Sequence, residues 1–190
     1  MSQKKDKNKI IFFKESIFRV AEIIFNYPNK TFHIRLLEKE TGFSTTAVID
    51  SIKELKKFDI IQIEETPLTT NIKANLESEA YRFYKIIFNL YRLKRYLFVD
   101  RLVEIFNNPE AIVLFGSFAK GEDIEESDID ILVISTQKNY ENLDDSVNNF
   151  EKLTNRKINI HILPSLDKSS NEFKNAVANG IVLHGYLKIL

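Results

Sequence analysis

Between Ala111 and Ile134 two apolar runs are split by a polar stretch that opens on Gly-Ser and closes on Asp-Ile-Asp. The first run, Ala111-Ile112-Val113-Leu114-Phe115, ends at Gly116-Ser117; the second, Ile129-Asp130-Ile131-Leu132-Val133-Ile134, begins directly after Asp128. Continuous apolar runs of this length, bounded by glycine and polar residues, are the pattern of buried strands. Alternation along a strand puts Asp128 and Asp130 on one face, Ile129 and Ile131 on the other. Alone, Gly-Ser marks a turn and Asp-x-Asp a solvated edge; together, between two apolar strands, they describe a site.

Gly116-Ser117, Gly121, Ser127, Asp128 and Asp130 line up as G-S-x-x-x-G-(x5)-S-D-x-D. This resembles the signature of the DNA polymerase β-like nucleotidyltransferase superfamily, particularly its minimal prokaryotic members, over about residues 108–185. The resemblance implies a mixed sheet with flanking helices that binds a nucleoside triphosphate, with ATP the expected one. Asp128 and Asp130 would be the catalytic and metal-holding pair for Mg²⁺ or Mn²⁺, a hard cation that takes oxygen ligands and shares its shell with phosphates. Gly116, Ser117, Lys120 and Ser127 would be the nucleotide-binding positions. Gly116 lets backbone approach the triphosphate, and Ser117 offers a hydroxyl and an N–H. The residues after Ser117 should begin a helix whose N-terminus favours an anion.

Active members of that superfamily supply a third carboxylate from a later strand. The matching strand is Lys157–Leu163, an alternating segment with Ile158, Ile160 and Ile162 on one face and Asn159 and His161 on the other. The acidic position falls on Asn159, whose neutral oxygen is a weaker ligand for a hard cation. Three readings stand. The site binds Mg²⁺-nucleotide and turns over slowly or not at all; His161 serves as general base; or Asp144, Asp145 or Glu151 from the preceding helix reaches in.

Ahead of this region the apolar spacing predicts a helix over 9–27 ended by Pro28-Asn29, and a second over 32–40 ended by Thr41-Gly42. A third follows from Ser44 to about Phe58, with Ser44 as N-cap. Strands are expected at 60–64 and 70–74, joined by Thr66-Pro67-Leu68-Thr69. The order resembles a winged helix-turn-helix over about residues 10–76. That resemblance implies DNA contact from the exposed face of the third helix, where Thr45, Thr46, Asp50, Ser51 and Lys53 are expected. Asp50 would repel phosphates while the hydroxyls bond them or base edges. Residues 77–107 hold no Gly or Pro and read as one long linker helix. Its apolar face of Tyr81, Tyr84, Ile87, Phe88, Tyr91, Tyr96 and Leu97 predicts docking on a domain or on a second subunit, with a homodimer the expected assembly.

The expected architecture is therefore α+β or α/β in three parts. These are a winged helix-turn-helix domain (1–76), a linker or dimerisation helix (77–107) and a nucleotidyltransferase-like domain (108–190). Charge follows the same division, although the whole chain is neutral. Residues 1–76 carry 13 basic against 10 acidic side chains, 77–107 carry 6 against 4, and 108–190 carry 8 against 13. A basic front suits a polyanion and an acidic back suits divalent cations. The absence of cysteine excludes disulfides and thiolate metal sites. No apolar run approaches the ~18 residues of a membrane span, and the N-terminal MSQKKDKNKI lacks a signal peptide's apolar core. The expected setting is the cytoplasm, with no membrane partner.

Two functions fit. One is a metal-dependent nucleotidyltransferase acting on a protein or other hydroxyl acceptor, including a toxin it neutralises. The other is a non-catalytic regulator that binds DNA and senses a nucleotide.

Overall fold

Apolar residues three and four apart wind α1 (Glu15–Asn26), which buries Ile17, Val20, Ala21, Ile24 and Phe25 and stops short of Pro28. The chain, here as a computed structural model, is described over residues 14–67, 69–137 and 139–188. The expected start of this first helix at 9–13 and Leu68 of the expected turn lie outside those residues. Two units are formed, Met1–Tyr81 and Arg82–Leu190.

In the first unit, α2 (Ile34–Thr41) begins two residues later than its spacing predicts. Phe32 is extended and exchanges both backbone hydrogen bonds with Ile72, at 2.8 and 2.9 Å. Gly42 closes α2 in the left-handed conformation (φ 73°), with its N–H on the Glu38 carbonyl. Ser44 caps α3 (Thr45–Lys57) as expected, its hydroxyl accepting the Ala47 N–H at 3.4 Å. Antiparallel β1 (Ile61–Glu65) and β2 (Thr70–Ala74) complete the unit. Its core gathers Val20, Phe25, Phe32, Leu37, Val48, Leu55, Ile60, Ile72 and Tyr81, all buried. Each such side chain contributes about 1.5–3 kcal/mol on leaving water.

The single helix expected over 77–107 is two, α4 (Glu79–Arg95) and α5 (Phe98–Ile105). The break is at Leu97, a non-glycine residue at φ 54°. That conformation costs about 1–2 kcal/mol, offset here because the new direction buries Phe98 and Leu102 against the sheet. These helices are not a spacer: Leu93, Phe98, Leu102 and Phe106 share one core with Ile112, Leu114, Ile129, Ile131 and Val133. Much of the apolar face expected to dock on a domain or on a second subunit is thereby used inside the chain. Tyr81, Tyr84 and Phe88 are buried, while Phe83, Ile87 and Tyr91 stay exposed.

The remaining elements are β3 (Ala111–Phe115), α6 (Gly116–Lys120), β4 (Ile129–Ile134), α7 (Leu143–Thr154), β5 (Ile158–Leu163), α8 (Asn171–Ala178) and β6 (Ile181–Gly185). The strands form a mixed sheet in the order β5-β4-β3-β6. The β3–β4 and β3–β6 pairs are antiparallel, and β4 and β5 are parallel through the α7 crossover. One face packs on α4, α5 and α7. The other carries Ala111, Val113, Phe115, Leu132 and Ile134 against Leu166 and Val177 of the α8 region. This second face is covered only in part, and its open end carries the polar residues of β4 and β5. Among the described residues no helix is long and apolar enough to cross a membrane.

Candidate functional site

Strand register brings the sequence-predicted residues together. Parallel pairing sets Asn159 beside Asp130 and His161 beside Leu132; antiparallel pairing sets Phe115 beside Asp130. The amide nitrogen of Asn159 donates to Asp128 Oδ2 at 3.2 Å and to Asp130 Oδ1 at 3.1 Å. Both carboxylates are half-buried and Asn159 is exposed, so this triad sits at the rim of the sheet rather than inside it.

Gly116 makes the turn that leads β3 past Asp130. Its φ is 74°, and a Cβ there would lie 2.5 Å from Asp130 Oδ2. The position therefore needs glycine twice, for its dihedral and for the room. Ser117 follows, half-buried, and Lys120 is exposed in the last turn of α6. The helix expected after Ser117 is present but only five residues long, ending at left-handed Gly121. So few aligned peptides build little dipole.

The loop from Gly121 to Asp128 is held from beneath by side chains whose role the motif does not reveal. Asp123 is 2% exposed, and around it sit Lys85 and Asn89 of α4 and Arg156 from the turn before β5, all buried. Lys85 Nζ is 3.3 Å and Arg156 Nη2 3.5 Å from Asp123 Oδ2, and Asn89 donates to Asp123 Oδ1 at 2.8 Å. The same side chains satisfy the loop's backbone. Lys85 donates to the Asp123 carbonyl, Asn89 to that of Phe118, and Arg156 to those of Ile124 and Ser127. Burial holds the Lys85 ammonium below its usual pKa, with the Asp123 charge opposing that shift. The sequence signal for this cluster is thin: Lys85 and Asn89 are two polar residues one helical turn apart beside the apolar Tyr81, Tyr84 and Phe88.

Several expected residues have other duties. The Ser127 hydroxyl accepts the Ile124 N–H at 2.9 Å, fastening the turn before Asp128. His161 lies against the rings of Phe115 and Phe173, at centroid distances of 5.5 and 5.3 Å. Glu151 accepts the Ile158 N–H at 2.8 Å and so closes the start of β5 rather than joining the carboxylates. Asp144 and Asp145 are in the first turn of α7, which the crossover places at the far end of β4 from Asp128. Among the described residues no three His, Cys, Asp or Glu side chains gather as a metal group. A cavity of about 590 Å³ lined by Arg101, Glu104, Gln137 and Asn142 is at that far end too and holds none of the expected site residues.

On α3 the expected DNA-facing set is corrected at one position. Thr45, Thr46, Asp50 and Lys53 are exposed, but Ser51 is 1% exposed and donates to the Ala47 carbonyl at 2.7 Å. It shares the buried side of the helix with Val48, Ile52 and Leu55.

Residues 100–186 match the model of the family described as polymerase beta, nucleotidyltransferase. The match covers most of the second unit and begins within α5, ahead of the residue 108 expected from the motif. No curated protein matches the chain.

Proposed function

We propose that the second unit binds a nucleoside triphosphate, ATP foremost, together with a divalent cation held by Asp128 and Asp130, and that it transfers nucleoside monophosphate slowly or not at all. The observation that carries this reading is the carboxylate pair on an open strand rim beside the Gly116 turn, within the stretch that matches the nucleotidyltransferase family model. Two carboxylates on one face fit Mg²⁺ or Mn²⁺ as oxygen donors, though more weakly than three carboxylates would. When bound, such an ion would supply charge neutralisation to phosphate oxygens. Gly116 would leave space for the phosphates, Ser117 would donate to them, and Lys120 would add positive charge. Ser127 would act on the loop rather than on the nucleotide. Asn159 cannot take a proton from an attacking hydroxyl as a carboxylate can, and His161, exposed beside two rings, pairs with Leu132 rather than with Asp130. Both features favour slow turnover.

Labelled nucleoside triphosphates with Mg²⁺ or Mn²⁺ and hydroxyl acceptors, proteins included, test this against Asp128→Ala/Asp130→Ala. The double variant should bind nucleotide at least about tenfold more weakly, a loss of about 1.4 kcal/mol. Equal binding by both proteins would remove the reading. Rapid label transfer that depends on the aspartates would show an active enzyme instead.

The second reading is a nucleotide-sensing regulator whose first unit is a winged helix-turn-helix that touches DNA. Three helices, the Phe32–Ile72 bridge and the β1–β2 hairpin support it. Thr45, Thr46 and Lys53 would face the duplex, with Lys30, Lys39, Lys56, Lys57 and Lys73 adding charge. Acidic neighbours temper that charge: Lys53 lies 3.8 Å from Asp50 and Lys73 3.3 Å from Glu64. About four phosphate contacts would weaken binding roughly a hundredfold between ~50 and ~200 mM salt. A gel-shift series measures this, and no retention of any duplex at ~50 mM salt would end the DNA-binding reading.

A further inference from the structure

We propose that Asn159 is a built-in occupant of the carboxylate pair, a neutral lock that a divalent cation has to displace before it can bind. The inference rests on the reading of Asp128 and Asp130 as the cation-holding pair. An amide nitrogen carries two N–H bonds and no acceptor capacity. Here one nitrogen reaches both carboxylates, at 3.2 and 3.1 Å, so its two protons stand where a cation's charge would be shared. Register sets the arrangement: Asn159 is the direct cross-strand neighbour of Asp130, and adjacent strands run only about 4.8 Å apart.

The amide cannot serve the pair and a cation at once. A hard cation takes oxygen, and with Nδ2 on the carboxylates the amide oxygen is at the other end of the group. Presenting that oxygen requires the amide to turn over and give up two charge-assisted hydrogen bonds. Asn159 is exposed, so water can take over those bonds and the lock is a threshold rather than a block. An aspartate at 159 would do the reverse. It would crowd a third negative charge against the pair when no cation is present, and make the cation a requirement for a quiet site.

The consequence separates a lock from a ligand. If Asn159 occupies the pair, Asn159→Ala removes the competitor and leaves two carboxylates repelling each other, so a cation binds more tightly than to the natural chain. If Asn159 is instead an ordinary oxygen ligand, the same variant loses a donor and binds more weakly.

Mn²⁺ titration of the full chain, read by the electron paramagnetic resonance of free Mn²⁺ and by calorimetry, decides between them. The natural chain, Asn159→Ala, Asn159→Asp and Asp128→Ala/Asp130→Ala are compared at one pH, with melting curves to show that each is folded. The expected dissociation constants fall at least threefold for Asn159→Ala and at least tenfold for Asn159→Asp. Asn159→Asp should also gain more melting temperature from Mn²⁺ than the natural chain does. Equal or weaker binding by Asn159→Ala overturns the lock while leaving the cation site standing, provided the double aspartate variant abolishes binding. No Mn²⁺ binding by any of the four overturns the lock and the cation reading together.

Discussion

Asp123→Ala is expected to destabilise the second unit by about 3–5 kcal/mol, the usual effect of removing one partner from a buried ion pair. The carboxylate is in contact with two buried cations, Lys85 and Arg156. Without it, both positive groups stay in a low-dielectric interior, where backbone carbonyls and, for Lys85, the Glu125 charge compensate them only in part. Against a net stability of about 5–15 kcal/mol this is a large fraction, and melting should fall by more than about 10 °C.

The effect carries a pH signature. Lys85 already has a lowered pKa in the folded chain, so between that value and its ordinary 10.5 the unfolded chain binds more protons. Stability linked to Lys85 therefore rises with pH in that window. Removing Asp123 takes away the negative charge and hydrogen bond that hold the Lys85 pKa up, which widens the window downward. The gap in stability between Asp123→Ala and the natural chain should shrink from neutral pH towards pH 10 as Lys85 gives up its proton. Urea unfolding of both proteins at several pH values measures this. Lys85→Met, which removes one cation and leaves the Asp123–Arg156 pair, should cost far less. A loss for Asp123→Ala below about 1 kcal/mol would mean that water reaches the cluster.

This cluster also shows where sequence reading stops. The strands on either side of the motif and the carboxylates' shared face follow from alternation along short apolar runs, so they are legible residue by residue, whereas the place of Asn159 beside Asp130 is implied by the family resemblance and set by the parallel register. The Ser44 cap and the left-handed Gly42 were legible because their side-chain chemistry acts within one turn of the chain. Asp123 was not, because in sequence it is one acid among several in Gly121–Asp130. What sets it apart is contact with residues 38 positions before it and 33 after it in the chain. Ser51 was misplaced because helical periodicity assigns a face, while a serine can lie on the buried face by bonding its own backbone. The break at Leu97 was invisible for a related reason: neither Gly nor Pro marks it, and tertiary burial of Phe98 and Leu102 overrides the local preference.

The two glycines of the motif should fail in different ways when replaced by alanine. Gly116 and Gly121 have nearly the same dihedral, φ 74° and 68°, and in each an added Cβ would come within 2.5 Å of an oxygen. Both substitutions therefore incur about 1–2 kcal/mol for a side chain in the left-handed region. The obstructing atoms decide the rest. At Gly121 the oxygen is the Arg82 main-chain carbonyl in α4, with Ile86 at 3.1 Å, so relief requires the loop and helix to separate over the Asp123 cluster. At Gly116 it is Asp130 Oδ2, the end of a side chain on the open rim, which can rotate aside. Gly121→Ala should thus lose about 3 kcal/mol or more of stability through strain and overpacking. Gly116→Ala should stay within about 2 kcal/mol of the natural chain yet, on the proposed reading of the carboxylate pair, lose at least tenfold in Mn²⁺ and nucleotide affinity, because one carboxylate has left its partner. Parallel unfolding and titration of the two variants provide the check. A Gly116→Ala protein that binds both ligands normally would show that the Gly116 turn and the Asp130 carboxylate do not form one site.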